Sequence, residues 1–367
     1  MYPMKIRAAV AREGNPHPKF EDVELSGPRA GEVLVRMVAT GVCHTDLKAA
    51  SLFAFVPKPV VLGHEGAGVI EQAGSAVTKV VPGDHVVLSF AYCGHCRSCR
   101  EGEPAYCHEQ FALNFFCNRP DHSHHLSGGG APIHGDFFGQ SSFATHAIAT
   151  EQNVVKVRKD APLELLGPLG CGIQTGAGAI LNDFQIRPGQ SLAVFGVGSV
   201  GLSAVMAARI AGASRIIAVD RHPHRLEFAR EFGAHDTLLT AGEPIAAEIM
   251  RLTGEGVDFA LDTSGAPQVM RDAIDVLAPR GTCGFVTGPQ GDLLGVPVRN
   301  LLLGRKIRGI IEGNSNPDLF IAMLVDLFMA GRLPFDRLVR FYDHEKIADA
   351  FADAESGKTI KPVLRFV

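Results

Sequence analysis

Short runs of hydrophobic residues, separated by glycine, proline and polar positions, fill about the first 150 residues of the chain. Stretches such as KIRAAVA, EVLVRMVAT and DHVVLSF have the length and the β-branched content that are typical of strands. The pattern therefore predicts a β-rich domain with an irregular course. Two polar segments interrupt it, at residues 93–107 and 114–138. We expect both to form loops, and the second to be too polar and flexible for the core.

Near Gly172 the pattern changes to apolar strands that alternate with helices. The alternation begins with SLAVFGVGSV, GLSAVMAARIAGA, RIIAVD and PHRLEFAREFGA. Strands and helices in this order predict a parallel, doubly wound sheet, since each helix carries the chain back so that the next strand runs the same way.

The last part of the chain is predicted to belong to the first domain again. After Gly313 the helical PDLFIAMLVDLFMAG and the strand-like GKTIKPVLRFV resume the character of the first domain. We therefore predict an α/β protein of two domains. Residues 1–172 and 312–367 form the β-rich domain, and residues 173–311 form the doubly wound domain inserted into it.

Composition and charge limit the classes of molecule that this protein is expected to bind. Of the 367 residues, 46% are hydrophobic and 20% are charged, as in a folded globular protein. A net charge of −4 offers no basic surface for a phosphate backbone, so we expect no nucleic-acid partner. We expect a soluble, cytoplasmic protein with no membrane partner, because no run of apolar residues is long enough to span a bilayer and the first residues lack a secretory signal. Eight cysteines in such a protein indicate metal ligands or buried thiols rather than disulfides.

A glycine-rich turn joins the first strand of the second domain to its helix. The turn reads Gly196-Val197-Gly198-Ser199-Val200-Gly201. In dinucleotide-binding domains the first glycine makes the tight turn, the second lets the backbone approach the pyrophosphate, and the third lets helix and strand pack closely. The helix N-terminus then offers free N–H groups to the phosphates. We expect Gly196, Gly198, Val200 and Gly201 to contact a dinucleotide.

An acidic residue at the end of the next strand indicates which dinucleotide is bound. Asp220 stands where a carboxylate binds both ribose hydroxyls of NAD and repels the 2′-phosphate of NADP. The sequence therefore favours NAD. Arg221 and Arg225 weaken this preference, because an arginine beside the acid tolerates the extra phosphate; we include Arg225 among the predicted cofactor contacts.

The first polar segment carries four closely spaced cysteines, Cys93, Cys96, Cys99 and Cys107. Four thiolates satisfy tetrahedral zinc and leave no open position, which is the arrangement of a structural site. An iron–sulfur cluster is an alternative with similar spacing. Buried thiols are the other alternative, but they would not gather in a loop rich in glycine, arginine and glutamate.

A second set of metal-binding residue types is dispersed along the chain. Cys43, His64 and Cys171 each lie in a glycine-containing segment. Taken singly, Cys171 is equally well explained as a small buried hydrophobe and His64 as a core histidine with its hydrogen bonds satisfied. Their chemistry alone therefore leaves both interpretations open.

Taken together, these motifs resemble the zinc-dependent medium-chain alcohol dehydrogenases. The resemblance rests on the segment from Gly63 to Val69, the four-cysteine loop, the turn from Gly196 to Gly201, and Asp220. It covers nearly the whole chain and implies a GroES-like β-rich catalytic domain, a Rossmann coenzyme domain, and zinc and NAD in the cleft between them. The segments Asn114-Phe115, His134 to Ala144 and Gly170 to Gly176 are most similar to the aryl (benzyl) alcohol dehydrogenase branch.

The resemblance assigns roles around two zinc ions per subunit, one of them in the four-cysteine loop. It implies that Cys43, His64 and Cys171 bind the catalytic zinc, with water or substrate in the fourth position. It also implies that Asp46 fixes the tautomer of His64 and that Glu65 lies behind the metal.

The resemblance also assigns residues to the substrate and the cofactor. Thr45 falls where the family places a hydroxyl that bonds the substrate oxygen, and His44, Thr175 and Lys361 fall at cofactor-binding positions, with His44 and Lys361 against the pyrophosphate. The relay histidine of the family is replaced by Lys48. Protons then leave through Thr45 and the ribose, or through Lys48, although a solvated lysine is the simpler interpretation of that residue.

The implied activity is oxidation of a primary alcohol to the aldehyde, with reversible hydride transfer to NAD. Apolar side chains at Phe53, Ala54 and Phe90 predict a cleft that suits an aromatic alcohol of the benzyl type, although the phenylalanines are equally explained as core. Three alternatives stay open: an allylic or terpenoid (geraniol-type) alcohol dehydrogenase, a glutathione-dependent formaldehyde dehydrogenase, and a non-catalytic regulator that senses NAD or metal. The segment from Lys306 to Ile311 resembles an edge strand that pairs across a dimer, so we expect a homodimer or homotetramer.

Overall fold

The computed structural model describes residues 3–241, 243–287 and 295–366, which divide into two compact units. The first unit comprises Met1–Cys171, Asn316–Ala330 and Phe335–Val367. The second unit comprises Gly172–Ser315 and Gly331–Pro334.

The strands and helices are numbered here in chain order. The strands are β1 (Met4–Arg12), β2 (Asn15–Leu25), β3 (Glu32–Gly41), β4 (Val60–Val61), β5 (Gly66–Ala73), β6 (His85–Leu88), β7 (Leu126–Gly128), β8 (Ala131–Ile133), β9 (His146–Thr150), β10 (Val154–Lys156), β11 (Ser191–Phe195), β12 (Arg215–Asp220), β13 (Asp236–Leu239), β14 (Val257–Asp262), β15 (Leu277–Phe285), β16 (Lys306–Gly309), β17 (Val339–Asp343) and β18 (Lys361–Arg365). The α-helices are α1 (His44–Ser51), α2 (Arg97–Arg100), α3 (Gln110–Phe115), α4 (Leu163–Leu166), α5 (Gly172–Gly178), α6 (Ser199–Ala211), α7 (Pro223–Phe232), α8 (Ala246–Thr253), α9 (Pro267–Asp275), α10 (Val298–Leu302), α11 (Pro317–Met329) and α12 (Ile347–Glu355).

The first unit is built on two sheets. One sheet has the order β4-β1-β2-β7-β8; the other has the order β10-β6-β5-β3-β18-β17, with β9 paired to β3. Strand β3 has partners on both sides, and its inward side chains Val33, Val35 and Met37 are fully buried because successive residues alternate between the two faces.

The pairing of β3 brings distant parts of the chain together. Thr40 pairs with Gly66 of β5, and Gly41 pairs with Val363 of β18. The residues that follow β3, precede β5 and begin β18 therefore meet at one edge of the sheet. The candidate metal centre lies there.

The second unit holds a six-stranded sheet in the residues that the structure describes. Its order is β13-β12-β11-β14-β15-β16, and every neighbouring pair is parallel. The predicted parallel, doubly wound sheet is thereby confirmed. The switch in strand order falls at β11, which leads into the glycine-rich turn and α6.

The prediction that residues 114–138 form a loop outside the core was wrong in part. This segment contains α3, β7 and β8, and it buries Cys117, Leu126 and Ile133 in the core of the first unit. His125 is 4% exposed, although the His122-Ser123-His124-His125 sequence suggested a solvated loop. Buried ion pairing explains the difference in part: Nε and Nη2 of Arg119 donate to the carboxylate of Glu32 at 2.6 and 2.7 Å, which ties the polar segment to β3.

Among the described residues, the helices are too short or too polar to cross a lipid bilayer.

Candidate functional site

Three dispersed residues of the predicted catalytic zinc site come together in the first unit. Cys43 precedes the first turn of α1, His64 lies just before β5, and Cys171 follows the 3₁₀ turn Gly167–Gly170. Their ligand atoms, together with a carboxylate oxygen of Glu65, all lie within 4.8 Å of one another. The group is therefore compact enough to surround one metal ion.

The imidazole of His64 has one nitrogen fixed and the other without a partner. Its Nδ1 lies 2.9 Å from Oδ1 of the buried Asp46, which holds the proton on Nδ1. Asp46 is itself fixed, because it accepts hydrogen bonds from the N–H groups of Cys43 and Gly63 at 2.9 and 3.1 Å. The buried Nε2 has no hydrogen-bond partner, so its lone pair is available to a metal.

The donor set fits zinc. Hydrogen bonding from Cys171 holds the pKa of the Cys43 thiol well below its usual value, although burial opposes this shift. Two sulfur donors and one imidazole are ligands that Zn²⁺ prefers, and three protein ligands leave one position open. The orphaned Nε2 and the neighbouring thiols are therefore the observations that support a catalytic zinc at this centre.

Behind these ligands lies a fully buried ion pair. Nζ of Lys361 is 2.9 Å from both carboxylate oxygens of Glu65 and donates to the Val42 carbonyl at 3.3 Å. Burial disfavours the charge of Lys361, but the neighbouring Glu65 and Cys43 raise its pKa above the usual value. Lys361 is 2% exposed, so the structure gives it a different partner from the pyrophosphate that the resemblance implied. Its contact with the cofactor stays a prediction.

Other residues assigned from the resemblance lie along α1. Oγ1 of Thr45 lies 3.8 Å from Sγ of Cys43, beside the metal-binding group. His44 begins α1 and is exposed, and Lys48 is half-buried one turn later. The roles of Thr45, His44 and Lys48 stay predictions.

The four closely spaced cysteines form a second group. The sulfur atoms of Cys93, Cys96, Cys99 and Cys107 all lie within 4.8 Å of one another. Backbone N–H groups point at these sulfurs: Cys96 donates to Cys93 at 3.3 Å, and Glu109 donates to Cys107 at 3.4 Å. Hydrogen bonds from the backbone at His108 and Cys99 lower the pKa of Cys96 to about 6. Burial raises the pKa values of Cys99 and Cys107, so the backbone favours the thiolate most strongly at Cys96. The four gathered sulfurs are the ligand set that a structural zinc takes.

The glycine-rich turn has the geometry that its sequence predicted. Gly196 has φ +82°, a conformation that glycine adopts without strain, and Gly198 caps the N-terminus of α6. A side chain on Gly201 would place Cβ 2.0 Å from the carbonyl oxygen of Gly196. Close packing of turn and helix therefore requires glycine at position 201.

Asp220 ends β12 beside this turn. Its two carboxylate oxygens accept hydrogen bonds from the N–H groups of Val197 and His222 at 2.7 and 2.8 Å. Nη1 of Arg225 lies 3.9 Å from the same carboxylate. The carboxylate is therefore rigidly placed, with a cation beside it, which leaves the predicted preference for NAD over NADP to be tested.

Thr175 on α5 belongs to a polar network of the second unit. Its hydroxyl donates to Oε2 of Glu312 at 3.4 Å, and Nε2 of Gln174 donates to the same oxygen at 3.2 Å. Ser315 in turn donates to Gln174 at 3.1 Å. The sequence reasoning missed Glu312 and Gln174, because only the fold brings residues 174 and 312 together.

Comparison with known proteins identifies the family. Residues 29–159 match the model of the alcohol dehydrogenase GroES-like domain, and residues 199–328 match that of zinc-binding dehydrogenases. A geraniol dehydrogenase of Castellaniella defragrans is 47% identical over 99% of this chain and 98% of its own length. The chain belongs to the zinc-dependent medium-chain alcohol dehydrogenases.

Solved structures agree with this assignment. An alcohol dehydrogenase zinc-binding domain protein from Burkholderia ambifaria has 52% sequence identity and a TM-score of 0.96, with both chains fully covered. Benzyl alcohol dehydrogenase from Acinetobacter calcoaceticus has 44% identity and a TM-score of 0.95, covering 99% of this chain and 100% of its own. The predicted family, its GroES-like and Rossmann domains, and its cofactors zinc and NAD are confirmed.

The dehydrogenase carries a continuous row of aromatic rings beside His64. Phe138 stacks on His64, and Phe115 packs against Phe138 with ring centroids 5.2 Å apart. Phe53 and Phe55 follow, at 6.3 and 5.7 Å from Phe115. Contacts between rings therefore run without a break from the imidazole of a candidate metal ligand, through the buried Phe138, to the half-exposed Phe55.

The three residues predicted to line the substrate cleft are placed differently. Phe53 is half-buried within the aromatic row, and Ala54 beside it is exposed. Phe90 is 1% exposed and belongs to the core of the first unit. The core interpretation therefore accounts for Phe90 without a substrate, and its role in a cleft stays a prediction.

Proposed function

We propose that this dehydrogenase oxidises primary alcohols with an apolar aromatic skeleton, of the benzyl type, and transfers the hydride reversibly to NAD. The observation that supports this proposal is the aromatic row from Phe138 to Phe55 next to His64. Such rings offer an apolar surface to a planar substrate close to the reacting centre. The similarity to the Acinetobacter benzyl alcohol dehydrogenase supports the same substrate class.

In the proposed mechanism, Cys43, His64 and Cys171 hold the catalytic zinc. When bound, zinc supplies the Lewis acidity that makes an alcohol hydroxyl acidic near neutral pH. Asp46 keeps the proton on Nδ1 of His64, so that Nε2 stays a donor of electrons. The Thr45 hydroxyl, beside Cys43, would bind the substrate hydroxyl and relay its proton, accepting it at Oγ1 while it releases its own proton toward water.

A geraniol-type substrate is the second candidate. The similarity to the Castellaniella geraniol dehydrogenase supports it, and the aromatic row offers apolar side chains to an allylic alcohol as well as to a benzyl alcohol. An apolar surface discriminates weakly between two apolar substrates, so we expect both classes to react. Glutathione adducts fit less well, because the stretch from Phe53 to Val56 offers no charge to a polar, anionic substrate.

The test is a panel of substrates offered to purified, metal-analysed protein. Benzyl alcohol, geraniol, ethanol and hydroxymethylglutathione are each supplied with NAD⁺ or NADP⁺, and NADH or NADPH formation is followed by absorbance. We expect kcat/KM for benzyl alcohol with NAD⁺ to exceed that for ethanol by at least about tenfold, since the apolar ring adds transition-state binding. If no alcohol is oxidised although the protein holds its full zinc content and binds NADH, the result favours a non-catalytic regulator that senses NAD or metal.

We also propose that the protein acts in the cytoplasm as a homodimer or homotetramer. Strand β16 forms one edge of the described six-stranded sheet, and α10 just before it exposes Val298, Leu301 and Leu302. An unpaired strand edge beside exposed apolar side chains is suited to pairing with a second copy. Sedimentation of the purified protein tests the assembly.

Asp220→Asn is expected to weaken the preference for NAD over NADP by at least about tenfold, or about 1.4 kcal/mol. The amide keeps the size of the side chain but removes the charge that repels a 2′-phosphate, and Arg225 then supplies a cation beside it. The measurement is the ratio of kcat/KM for NAD⁺ to that for NADP⁺. Asp262→Asn is the matched control, because Asp262 ends the parallel strand β14 and accepts hydrogen bonds from the following backbone in the same way. An unchanged ratio in Asp220→Asn would show that this carboxylate does not select the cofactor.

A further inference from the structure

The segment from Asp136 to Ser141 has an unusual backbone. Asp136, Phe138 and Ser141 have φ values of +60°, +53° and +48°, and Gly139 has +64°. Glycine adopts such left-handed conformations freely and aspartate tolerates them, but a bulky aromatic residue rarely does. Strain of this kind persists only where the surrounding structure imposes it, and it concentrates at functional sites.

Hydrogen bonds to the segment before β5 impose this conformation. Oγ of Ser141 accepts the N–H of Phe137 at 2.9 Å and donates to the Val61 carbonyl at 2.6 Å. Nε2 of Gln140 donates to the carbonyls of His64 and Ser89, both at 3.1 Å. The strained segment is thus tied directly to the backbone of the candidate zinc ligand.

The left-handed backbone at position 138 places the Phe138 ring against the face of the His64 imidazole. The centroid of Phe138 lies 4.5 Å from that of His64, with 27° between the ring planes. Phe137 meets the same imidazole edge-on, at 5.6 Å and 82°. Phe138 is 5% exposed, so this stacking takes place in the interior of the first unit.

The stacked ring of Phe138 restrains the orientation of the His64 ring plane, which the hydrogen bond to Asp46 leaves partly free. One hydrogen bond at Nδ1 restrains one point of the imidazole, but coupled rotation about the Cα–Cβ and Cβ–Cγ bonds of His64 still tilts the ring plane around that contact. A second ring stacked on the imidazole, with 27° between the ring planes, opposes that rotation by contact with its face. The direction of the Nε2 lone pair then follows from Asp46 and Phe138 together.

We propose that Phe138 is a positioning residue for the catalytic metal centre: its left-handed backbone presses the ring onto His64 and holds Nε2 toward Cys43 and Cys171. This inference rests on the proposed function, because it takes His64 to be a zinc ligand. The residues that orient a metal ligand commonly change metal affinity by 10- to 100-fold when they are removed.

Phe138→Leu tests this role, because leucine keeps an apolar side chain but offers no flat face. Zinc release to a chromogenic chelator is measured on the loaded protein, and the release phase that is absent from Cys43→Ser identifies the catalytic centre. We expect this phase to become about 10-fold faster in Phe138→Leu, while release from the four-cysteine loop stays unchanged. The visible absorption of bound Co²⁺ should shift as well, because the direction of the imidazole ligand changes.

Three further variants separate positioning from general destabilisation. Phe137→Leu is the matched control, since it removes an equally buried ring that meets only the edge of His64, and its release phase should change by less than about threefold. Phe138→Tyr keeps the stacked ring and should restore slow release. Phe138→Asn suits the left-handed backbone, so it gives a second measurement if Phe138→Leu does not fold.

The outcomes distinguish this inference from the function on which it depends. Equal release from wild type and Phe138→Leu, or equally fast release from Phe137→Leu and Phe138→Leu, overturns the positioning role while leaving the zinc site in place. Identical release from wild type and Cys43→Ser would instead show that no metal is held at Cys43, which contradicts the proposed function itself.

Discussion

Cys43→Ser and His64→Ala are each expected to abolish alcohol oxidation while NADH binding persists. We expect kcat/KM to fall by at least about 10³-fold, or about 4 kcal/mol of transition-state stabilisation, because the loss of one ligand leaves the catalytic zinc poorly held. Oxygen in place of sulfur at Cys43 removes a soft donor, and alanine at position 64 removes the only imidazole of the described metal-binding group.

NADH binding is expected to survive because its predicted contacts belong to other residues. The glycine-rich turn and Asp220 lie in the second unit, and their hydrogen bonds involve neither Cys43 nor His64. The measurements are turnover with benzyl alcohol, zinc per subunit, and NADH binding by fluorescence. We expect one zinc ion to be lost and the other to stay.

A buried thiol outside both cysteine groups provides the control. Cys117→Ser makes the same chemical change at a buried position of the first unit, and Cys117 belongs to neither group of metal-binding side chains. It should keep both zinc ions and most of the activity. Loss of turnover and NADH binding together in Cys43→Ser would point to a structural role for Cys43 and against the proposed catalytic centre.

The features that sequence reasoning predicted correctly are local in the chain. The turn from Gly196 to Gly201 and its helix follow from residues that touch one another within a few positions, and the alternation of strands and helices after Gly172 predicts the parallel sheet. The four cysteines from Cys93 to Cys107 likewise lie in one loop, so their spacing indicated a common site before any fold was known.

The catalytic group could not be derived from spacing. Cys43, His64 and Cys171 meet because β3 pairs with β5 and because the turn Gly167–Gly170 returns the chain to their neighbourhood, and neither fact is written in the local sequence. Only the resemblance to the alcohol dehydrogenase family predicted that these three residues form one site. Lys361 is bound to Glu65 in the interior, a partner that the resemblance did not name, and its contact with the cofactor stays a prediction.

Sequence reasoning also did not predict the places where the structure contradicts the preference of the local sequence. A left-handed phenylalanine at position 138 is set by hydrogen bonds from Gln140 and Ser141 to a distant segment, and no propensity predicts it. Similarly, the polar sequence around His125 predicts a solvated loop, whereas the fold buries that residue. In both cases tertiary contacts override the preference of the local sequence.

Removing a ligand from the four-cysteine loop is expected to destabilise the protein rather than to alter its chemistry. For Cys107→Ser we expect loss of one zinc ion per subunit and a fall in Tm of at least about 5 °C, because a structural zinc contributes binding free energy directly to folding. The loop has little else to hold it: its regular structure is the four-residue α2 and the short turn Pro104–Tyr106.

The remaining sulfurs add to this effect. Sγ of Cys93 lies 4.0 Å from that of Cys99, and neither of these two sulfurs is removed in Cys107→Ser. Without a cation, thiolates this close repel one another and must bind protons, while the N–H groups that point at them lose charged acceptors. We therefore expect the loop to unfold locally before the rest of the first unit.

Thermal unfolding with and without a chelator measures this contribution, and metal analysis identifies the ion. Wild type treated with a strong chelator should approach the Tm of Cys107→Ser. In contrast, Cys283→Ser changes a buried thiol that belongs to no described group of metal-binding side chains, and it should keep both zinc ions. Iron and visible absorption in the wild type would favour an iron–sulfur cluster over zinc. An unchanged Tm together with full zinc content in Cys107→Ser would show that this loop holds its shape without a metal, since a tetrahedral structural site cannot lose one of four ligands and keep the same affinity.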